Sequence, residues 1–215
     1  HDREPGRHAL GRNLGVNRCS RLATLLLALA LLLHAPAMLA RPPAHPLVQS
    51  ARSQIGVTVH YDPAYLRLDY PGGDVPIARG VCTDVIVRAL RGQGIDLQQR
   101  IHQDKRTHPA AYPARWRHLP ADPHIDHRRV PNQMTWFSRH GWARAISRER
   151  SDYLPGDIVA WDLGRGLLHI GIVSDRTSVD GTPLILHNIA RGTREEDLLL
   201  KHRIIGHYRP PGAGR

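Results

Sequence analysis

The chain has 215 residues, of which 30 are lysine or arginine and 19 are aspartate or glutamate, giving a formal net charge of +11. This basic balance favours an anionic partner, such as nucleic acid, a membrane surface or the acidic bacterial cell wall. The sequence has neither aromatic residues interleaved with the basic ones, nor zinc-finger spacing, nor a glycine-rich phosphate loop. These features are the usual signs of nucleic-acid binding, so we expect no nucleic-acid partner.

Residues 1–40 have the pattern of an export signal. Three arginines precede an apolar run, 22–33, and a stretch of small residues suited to cleavage follows at 35–40. The run has 12 residues, whereas a bilayer-spanning helix needs about 20. We therefore expect a removed signal peptide, a periplasmic or otherwise exported protein, and no stable membrane anchor after cleavage. A retained anchor is the alternative.

Removal of the signal leaves a Pro-rich spacer over 41–46 and one predicted domain over 47–210, long enough to bury its own core. This part of the chain keeps 25 basic and 17 acidic residues, so it stays basic at +8. Cys19 leaves with the signal, and Cys82 then has no partner for an internal disulfide. A lone thiol in an oxidising compartment indicates a functional role.

Apolar periodicity predicts a helix over Leu47 to Ile55 and a second helix from Val81 to just before Gly92. Between them, residues 57–80 form a long loop of the kind that serves a site. We expect residues 100–135 to be irregular with short helices, one of them spanning Asn132 to His140. In the last third, four short apolar segments predict β-strands: Ile158–Trp161, Leu167–Val173, Leu184–Ile189 and Arg203–Tyr208. The predicted fold class is α+β, with N-terminal helices packed on a C-terminal antiparallel sheet.

Cys82 falls in the first turn of the second predicted helix. A catalytic cysteine reacts as its thiolate, which the N–H groups and the dipole at a helix start stabilise. Gly80, two residues earlier, leaves room for a substrate to approach. The alternative is that Cys82 is a small buried core residue, as free cysteines often are.

The base for such a nucleophile is predicted at His169, which lies within an apolar strand. If the two central strands form a hairpin symmetric about Ser178, His187 lies opposite His169 on the same face. A shift of one residue would present Asn188 instead. Either side chain could hold His169 in one tautomer, and His187 is preferred; a core histidine bonded to a backbone carbonyl remains the alternative.

Three short motifs, in this order, resemble the NlpC-type cell-wall cysteine peptidases: Gly80-Val81-Cys82-Thr83-Asp84, Pro155-Gly156-Asp157-Ile158-Val159 and His169-Ile170-Gly171-Ile172-Val173. The pattern is closer still to a bacterial branch of uncharacterised function, through four further segments: Tyr61–Tyr65, Tyr70–Asp74, Ile125–Asn132 and Gly206–Tyr208. The resemblance covers about residues 47–209.

The resemblance implies a papain-like fold in which Cys82 is the nucleophile, His169 the base and His187 the orienting residue. It also implies that a tyrosine ahead of the cysteine lines the site, and Tyr61 and Tyr70 are both candidates. Where the family usually has Asp-Cys-Ser, this chain has Val81-Cys82-Thr83, so the neighbours of the cysteine differ from those of the family. Asp84, one residue further on, and Asn188 are counted with the substrate-binding candidates.

The segment around Arg128 and Arg129 has three interpretations. The two arginines could pin a long loop through ion pairs, or bind a substrate carboxylate in a bidentate pair. In the third interpretation, His124 and His127 bind zinc together with an aspartate. Loop-pinning comes first, carboxylate binding second and zinc third.

Together these features predict an exported cysteine amidase or endopeptidase that cleaves an amide bond in peptidoglycan stem peptides and that needs no cofactor. The alternatives are a domain that binds cell-wall fragments without cleaving them and an acyltransferase that forms the same thioester. The sequence does not indicate an oligomeric state.

Overall fold

The computed structural model describes residues 45–212. The predicted signal peptide and most of the Pro-rich spacer lie outside the described residues. No helix within 45–212 has both the length and the apolar character needed to cross a membrane.

The centre of the fold is a five-stranded antiparallel sheet in the order β6-β5-β4-β3-β7. Its strands are β3 (Ile158–Asp162), β4 (Leu168–Thr177), β5 (Pro183–Asn188), β6 (Thr193–Glu196) and β7 (Arg203–Tyr208). Two short parallel strands, β1 (His60–Tyr61) and β2 (Arg79–Gly80), pair with each other beside it. The α+β fold class predicted from the sequence is therefore confirmed.

Five α-helices precede the sheet in the described part of the chain: α1 (Pro46–Arg52), α2 (Cys82–Arg91), α3 (Leu97–Thr107), α4 (Ala114–Arg117) and α5 (Val130–Arg139). Three 3-10 turns lie at Pro109–Ala111, Asp126–Arg128 and Arg150–Asp152. The second predicted helix is confirmed almost to the residue, because its apolar positions repeat at helical spacing and Gly92 follows its last turn.

The sheet has a core on each face, because residues alternate between its faces along every strand. The helix-bearing face includes Ile158, Ile170 and Ile172, which pack with Cys82 and with apolar residues of α1, α2 and α5. The opposite face carries a smaller cluster around Trp161. Every apolar position of the central strand β4 from Ile170 to Val173 is consequently buried.

Residues 100–135 were predicted to be irregular, and this was wrong for α3, which continues unbroken to Thr107. Its buried face consists of Leu97, Gln98, Ile101 and Lys105. The helical periodicity of apolar residues is incomplete in this segment, because Lys105 occupies a buried position that an apolar residue would normally fill. Its ammonium lies 2.9 Å from a carboxylate oxygen of Asp126, and both side chains are about 1% exposed.

The predicted register of the central hairpin was also wrong. A turn centred on Ser178 would have paired Ile172 with Leu184, whereas Ile172 faces Leu186. The Asp180 carboxylate accepts the N–H of Thr182, which centres the turn on Asp180, and a bulge follows between Val173 and Thr177. The net shift is two residues, so the same side chains stay on the same face.

We predict that Lys105→Ala will lower the free energy of unfolding by about 1.5–3 kcal/mol, since it removes one of the two cationic partners of the buried Asp126 carboxylate while Arg129 remains. The measurement is urea denaturation followed by circular dichroism at pH 7. Arg106→Ala on the exposed side of the same helix is the matched control, and it should change the unfolding free energy by less than about 0.5 kcal/mol. Equal losses in the two variants would contradict a role for the buried pair.

Candidate active site

Cys82 is the first residue of α2, and its backbone is fixed by a buried ion pair. Asp84 accepts the N–H of Val81 through Oδ2 at 2.7 Å, which is one half of a capping box. The Arg128 guanidinium then binds both carboxylate oxygens of Asp84, at 2.9 and 3.0 Å. Because Asp84 and Arg128 are both buried, they hold the start of the helix in one position.

Cys82 lies where strands β4 and β5 separate. The two strands pair at Ile172 and beyond, but not at the His169 end of β4. At this end the backbone N–H of Ile170 faces the Cys82 sulfur. Across the gap, Asn188 donates its side-chain amide to the carbonyl of Gly80 at 2.9 Å. The segment from Gly80 to Cys82 thus lies between the ends of β4 and β5 and contacts both.

The predicted base and its orienting residue are in contact. His169 Nε2 lies 3.0 Å from His187 Nδ1, and His187 Nε2 lies 3.2 Å from Glu196 Oε2. This second contact is an ion-pair distance without hydrogen-bond alignment, since the same nitrogen lacks an aligned acceptor. The prediction that His187 rather than Asn188 lies beside His169 agrees with this geometry.

The Glu196 carboxylate favours one direction for this chain. Its negative charge, 3.2 Å from His187 Nε2, favours the tautomer with the proton on that nitrogen, even without hydrogen-bond alignment. In this tautomer His187 Nδ1 accepts and His169 Nε2 donates. The lone pair of His169 then lies on Nδ1, the ring nitrogen nearer the backbone.

The histidines and the cysteine approach from different sides of the sheet. The His169 ring lies 5.9 Å from the ring of Trp161, on the face away from the helices, whereas Cys82 packs in the helix-bearing core. Among the described residues no hydrogen bond joins the thiol to the His169 ring. The gap between β4 and β5 is what brings the sulfur to the N–H of Ile170, the residue next to His169.

Burial dominates the electrostatics of the pair. It raises the pKa of Cys82 to about 12, against the opposing effect of the Ile170 N–H. Burial also lowers the pKa of His169 to about 3, and the neighbouring His187 and His202 contribute in the same direction. Both groups are therefore neutral near pH 7: the structure holds a thiol and an imidazole, not a thiolate and an imidazolium.

The structure separates the two candidate tyrosines. Burial raises the pKa of Tyr61, and the adjacent Cys82 and Asp84 contribute to the shift, so the Tyr61 hydroxyl lies close to the nucleophile. Tyr70 instead makes an edge-on contact with His102 on α3, at 5.0 Å between ring centroids. Tyr61 is the tyrosine that lines this site.

Arg128 and Arg129 point in different directions. Arg128 directs four N–H donors to protein acceptors: two to Asp84, one to the carbonyl of Asp62 and one to that of Ala64. This is the loop-pinning arrangement, and it leaves little of Arg128 for a substrate carboxylate. Arg129 pairs with Asp126 at 2.7 Å but keeps 23% of its side chain exposed.

The zinc interpretation finds no support in the described geometry. Leu68 donates its N–H to His124 Nδ1, and Asp126 is paired with Lys105 and Arg129. His127 is buried, which lowers the pKa of its imidazole to about 4. Within residues 45–212, no three histidine, cysteine or acidic side chains gather as metal ligands.

Two participants were missed by sequence reasoning, Glu196 and the backbone N–H of Ile170. Glu196 lies on β6, which the sequence analysis did not predict because the segment Thr193–Glu196 is almost wholly polar. Gly192 before this segment was the available signal, since a turn after β5 implies a returning strand. Pairing of His187 with Arg194 places Glu196 diagonally across from His187 on the same face.

The fold and site together define an α+β domain with a cysteine at a helix start and a histidine chain on the adjoining strands. Residues 48–210 match the model of a family described as a domain of unknown function, DUF1287. "Uncharacterized protein YijF" of Escherichia coli (strain K12) is 56% identical over 163 residues, which cover 76% of this chain and 80% of that protein. No solved structure matches. The chain belongs to the DUF1287 family.

We predict that His169 makes the folded state sensitive to acid. Its pKa is lowered from 6.5 to about 3 on folding, so between these values the unfolded chain binds a proton that the folded chain does not. The stabilising contribution is complete above pH 6.5 and is lost as the pH falls below it. Urea denaturation at pH 7.5, 6.5, 5.5 and 4.5 measures the effect.

Relative to His169→Gln, the parent should lose about 1 kcal/mol more for each pH unit below 6.5. His118→Gln is the control, because His118 is exposed and has no ion pair within residues 45–212, and it should keep the parent's pH dependence. Parallel curves for the parent and His169→Gln would show that His169 is not held neutral by burial.

Proposed function

We propose that this protein is an exported cysteine amidase or endopeptidase of the papain-like NlpC type, which cleaves an amide bond in peptidoglycan stem peptides. The observation that carries the proposal is the arrangement around Cys82. A thiol at the first position of a helix meets the backbone of Ile170, and the preceding residue, His169, is oriented by a 3.0 Å contact to His187. The cysteine, His169 and the orienting His187 are thus carried by adjoining elements of the fold, as covalent catalysis needs once the His169 ring reaches the thiol.

In the proposed reaction, substrate binding brings the His169 ring within hydrogen-bond reach of the thiol through the gap between β4 and β5. The Cys82 sulfur then attacks the amide carbonyl carbon while its proton passes to the His169 imidazole. The resulting imidazolium is stabilised by the chain through His187 to Glu196. The oxyanion is held partly by the backbone N–H of Cys82 at the helix start. The C–N bond breaks, His169 gives its proton to the leaving amine, and a thioester remains. Water then attacks the thioester with His169 as the base, which restores the thiol and releases the acid.

A thiol with a raised pKa and an imidazole with a lowered pKa do not form an ion pair in the resting state. Transfer of the proton is therefore coupled to attack on a bound substrate, not completed beforehand. Tyr61, 41% exposed beside the nucleophile, is placed to contact that substrate. A bound substrate carbonyl that accepts hydrogen bonds in the site would change the balance between the neutral and charged forms of Cys82 and His169 that burial alone sets.

Peptidoglycan is proposed as the substrate for two reasons. The motifs around Cys82 and His169 resemble cell-wall peptidases, and the chain beyond residue 40 has a net charge of +8. A basic surface favours association with an acidic polymer. The export signal predicted over 1–40 would bring the protein to the compartment that holds this polymer.

We predict that the protein from residue 41 onward releases soluble fragments from purified peptidoglycan and that Cys82→Ala releases none above background. His169→Ala should lower the rate by a factor of about 1,000 or more, and His187→Ala by a smaller factor of about 100, because His187 acts through His169. Mass spectrometry of the fragments identifies the bond that is cleaved.

His108→Ala is the matched control and should retain the parent rate, since this exposed histidine lies outside the site. Release of the same fragments by the Cys82→Ala protein would rule out the cysteine mechanism. Fragments joined to an added amine instead of water would indicate the acyltransferase alternative, which shares the thioester.

One observation favours the non-catalytic candidate, a domain that binds cell-wall fragments: Cys82 is only 4% exposed, and burial raises its pKa to about 12. Iodoacetamide distinguishes the two candidates, because only the thiolate is alkylated rapidly. The proposed enzyme should show Cys82 alkylation at pH 7.5 that accelerates at least about tenfold when peptidoglycan fragments are added. An inert thiol with and without fragments, together with no digestion, would establish the binding domain.

A further inference from the structure

A cavity lies beside the loop that leads away from Tyr61. It has a volume of about 500 Å³, and its lining includes Tyr65, Arg67, Leu119, Asp122, His124 and Arg129. We call it the Arg67–Arg129 cavity. Its position is set by Arg128, which binds the carbonyls of Asp62 and Ala64 and, on its other side, the Asp84 carboxylate at the start of α2. One side chain thus ties the cavity wall to the helix that carries the nucleophile.

The cavity lies within reach of a substrate that occupies the site. Tyr61 is close to Cys82, and Tyr65 lines the cavity four residues later. A segment of this length spans at most about 14 Å. A peptide with its scissile amide at Cys82 would need only a few residues to reach the cavity.

The polar groups at the cavity are mainly donors. His124 Nδ1 accepts the N–H of Leu68, so in its neutral form His124 carries its proton on Nε2 and can donate it. Arg129 uses one terminal nitrogen for Asp126, and its guanidinium stacks 4.8 Å from the ring of Trp116. This stacking holds the guanidinium plane in a fixed orientation.

The charge around the cavity is also suited to an anion. Arg67 is exposed and forms no salt bridge with any residue in the described range. The single acidic side chain in the lining, Asp122, already accepts the Tyr65 hydroxyl at 3.2 Å and the backbone N–H of His124 at 2.8 Å. Asp126 behind the lining is paired with Lys105 as well as Arg129. Two guanidiniums therefore face the cavity, with one carboxylate already engaged.

We propose that the Arg67–Arg129 cavity binds a free carboxylate of the substrate, at a distance from the bond that is cleaved. Arg67 and Arg129 supply the charge, and His124 supplies a neutral donor. The chemical class is a peptide that carries a side-chain or terminal carboxylate. As a substrate subsite this inference rests on the proposed function, but binding of a carboxylate to the cavity can be measured without turnover.

The test uses the Cys82→Ala protein, and glutarate is the probe. Chemical shifts of the His124 ring and the Arg67 and Arg129 side chains are followed by NMR at low salt. Glutarate should bind in the millimolar range or tighter, and uncharged glutaramide should not bind. Arg67→Gln should weaken glutarate binding about threefold, and Arg67→Gln combined with Arg129→Gln about tenfold or more.

Arg67→Gln tests the carboxylate site even if the double variant folds poorly, because Arg67 has no ion pair within residues 45–212 that would support the fold. Arg176→Gln, at the far end of β4 from His169, removes the same charge and should leave binding unchanged. Unchanged glutarate affinity in Arg67→Gln would overturn the proposal. Inorganic phosphate binding at least ten times more tightly than glutarate would also overturn it, since the cavity would then be a general anion site.

The two proposals fail separately. If the parent does not digest peptidoglycan but glutarate binds and depends on Arg67, the carboxylate site stands and the hydrolase proposal falls. If peptidoglycan is digested with the same KM and kcat by the parent and Arg67→Gln, and glutarate does not bind, only the carboxylate site is refuted.

Discussion

The separation of β4 and β5 at one end is the constraint on which the rest of the site depends. If the two strands stayed paired to their ends, the N–H of Ile170 would donate to β5. The start of α2 could then not pack between the two strands. Instead Asn188 turns its amide to the carbonyl of Gly80. That contact replaces sheet pairing with a link to the chain just before the nucleophile, so the backbone groups freed by the gap find other partners.

Gly171 has a specific part in this arrangement. A Cβ at this position would lie 2.5 Å from Ile185 and 3.2 Å from the Cβ of His187. The lack of a side chain lets β5 lie close enough for the His187 ring to reach His169. Glycine is thus required here by a close approach of neighbouring side chains, not by the backbone torsion.

Burial gives the site both its order and its neutrality. The same exclusion of water that fixes the Asp84–Arg128 pair and the His169–His187 contact also disfavours a free thiolate and an imidazolium. A site of this kind is well ordered, but its thiol and imidazole stay uncharged as long as no polar ligand enters. Glu196 is the exception: its side chain is 36% exposed, so the charged end of the histidine chain stays in contact with solvent.

The sequence by itself determined the α+β class, the position of Cys82 at a helix start and the face shared by His169 and His187. Local signals sufficed for these: helical spacing ended by Gly92, strands bounded by turn residues, and a side-chain alternation that survives a shift of two residues. The same signals failed for α3, whose buried face includes Lys105, and for β6, whose residues are polar.

Only the tertiary structure decided the rest. It selected Tyr61 over Tyr70, turned Arg128 inward to Asp84, and supplied Glu196 as the end of the histidine chain. Each of these outcomes depends on contacts between residues distant in sequence, such as the 44 positions between Asp84 and Arg128. From the sequence alone, a lysine such as Lys105 is assigned to the surface, because its buried carboxylate partner is not yet known. An unpaired strand end cannot be seen in a single strand, because it is a property of two strands and of the segment fitted between them.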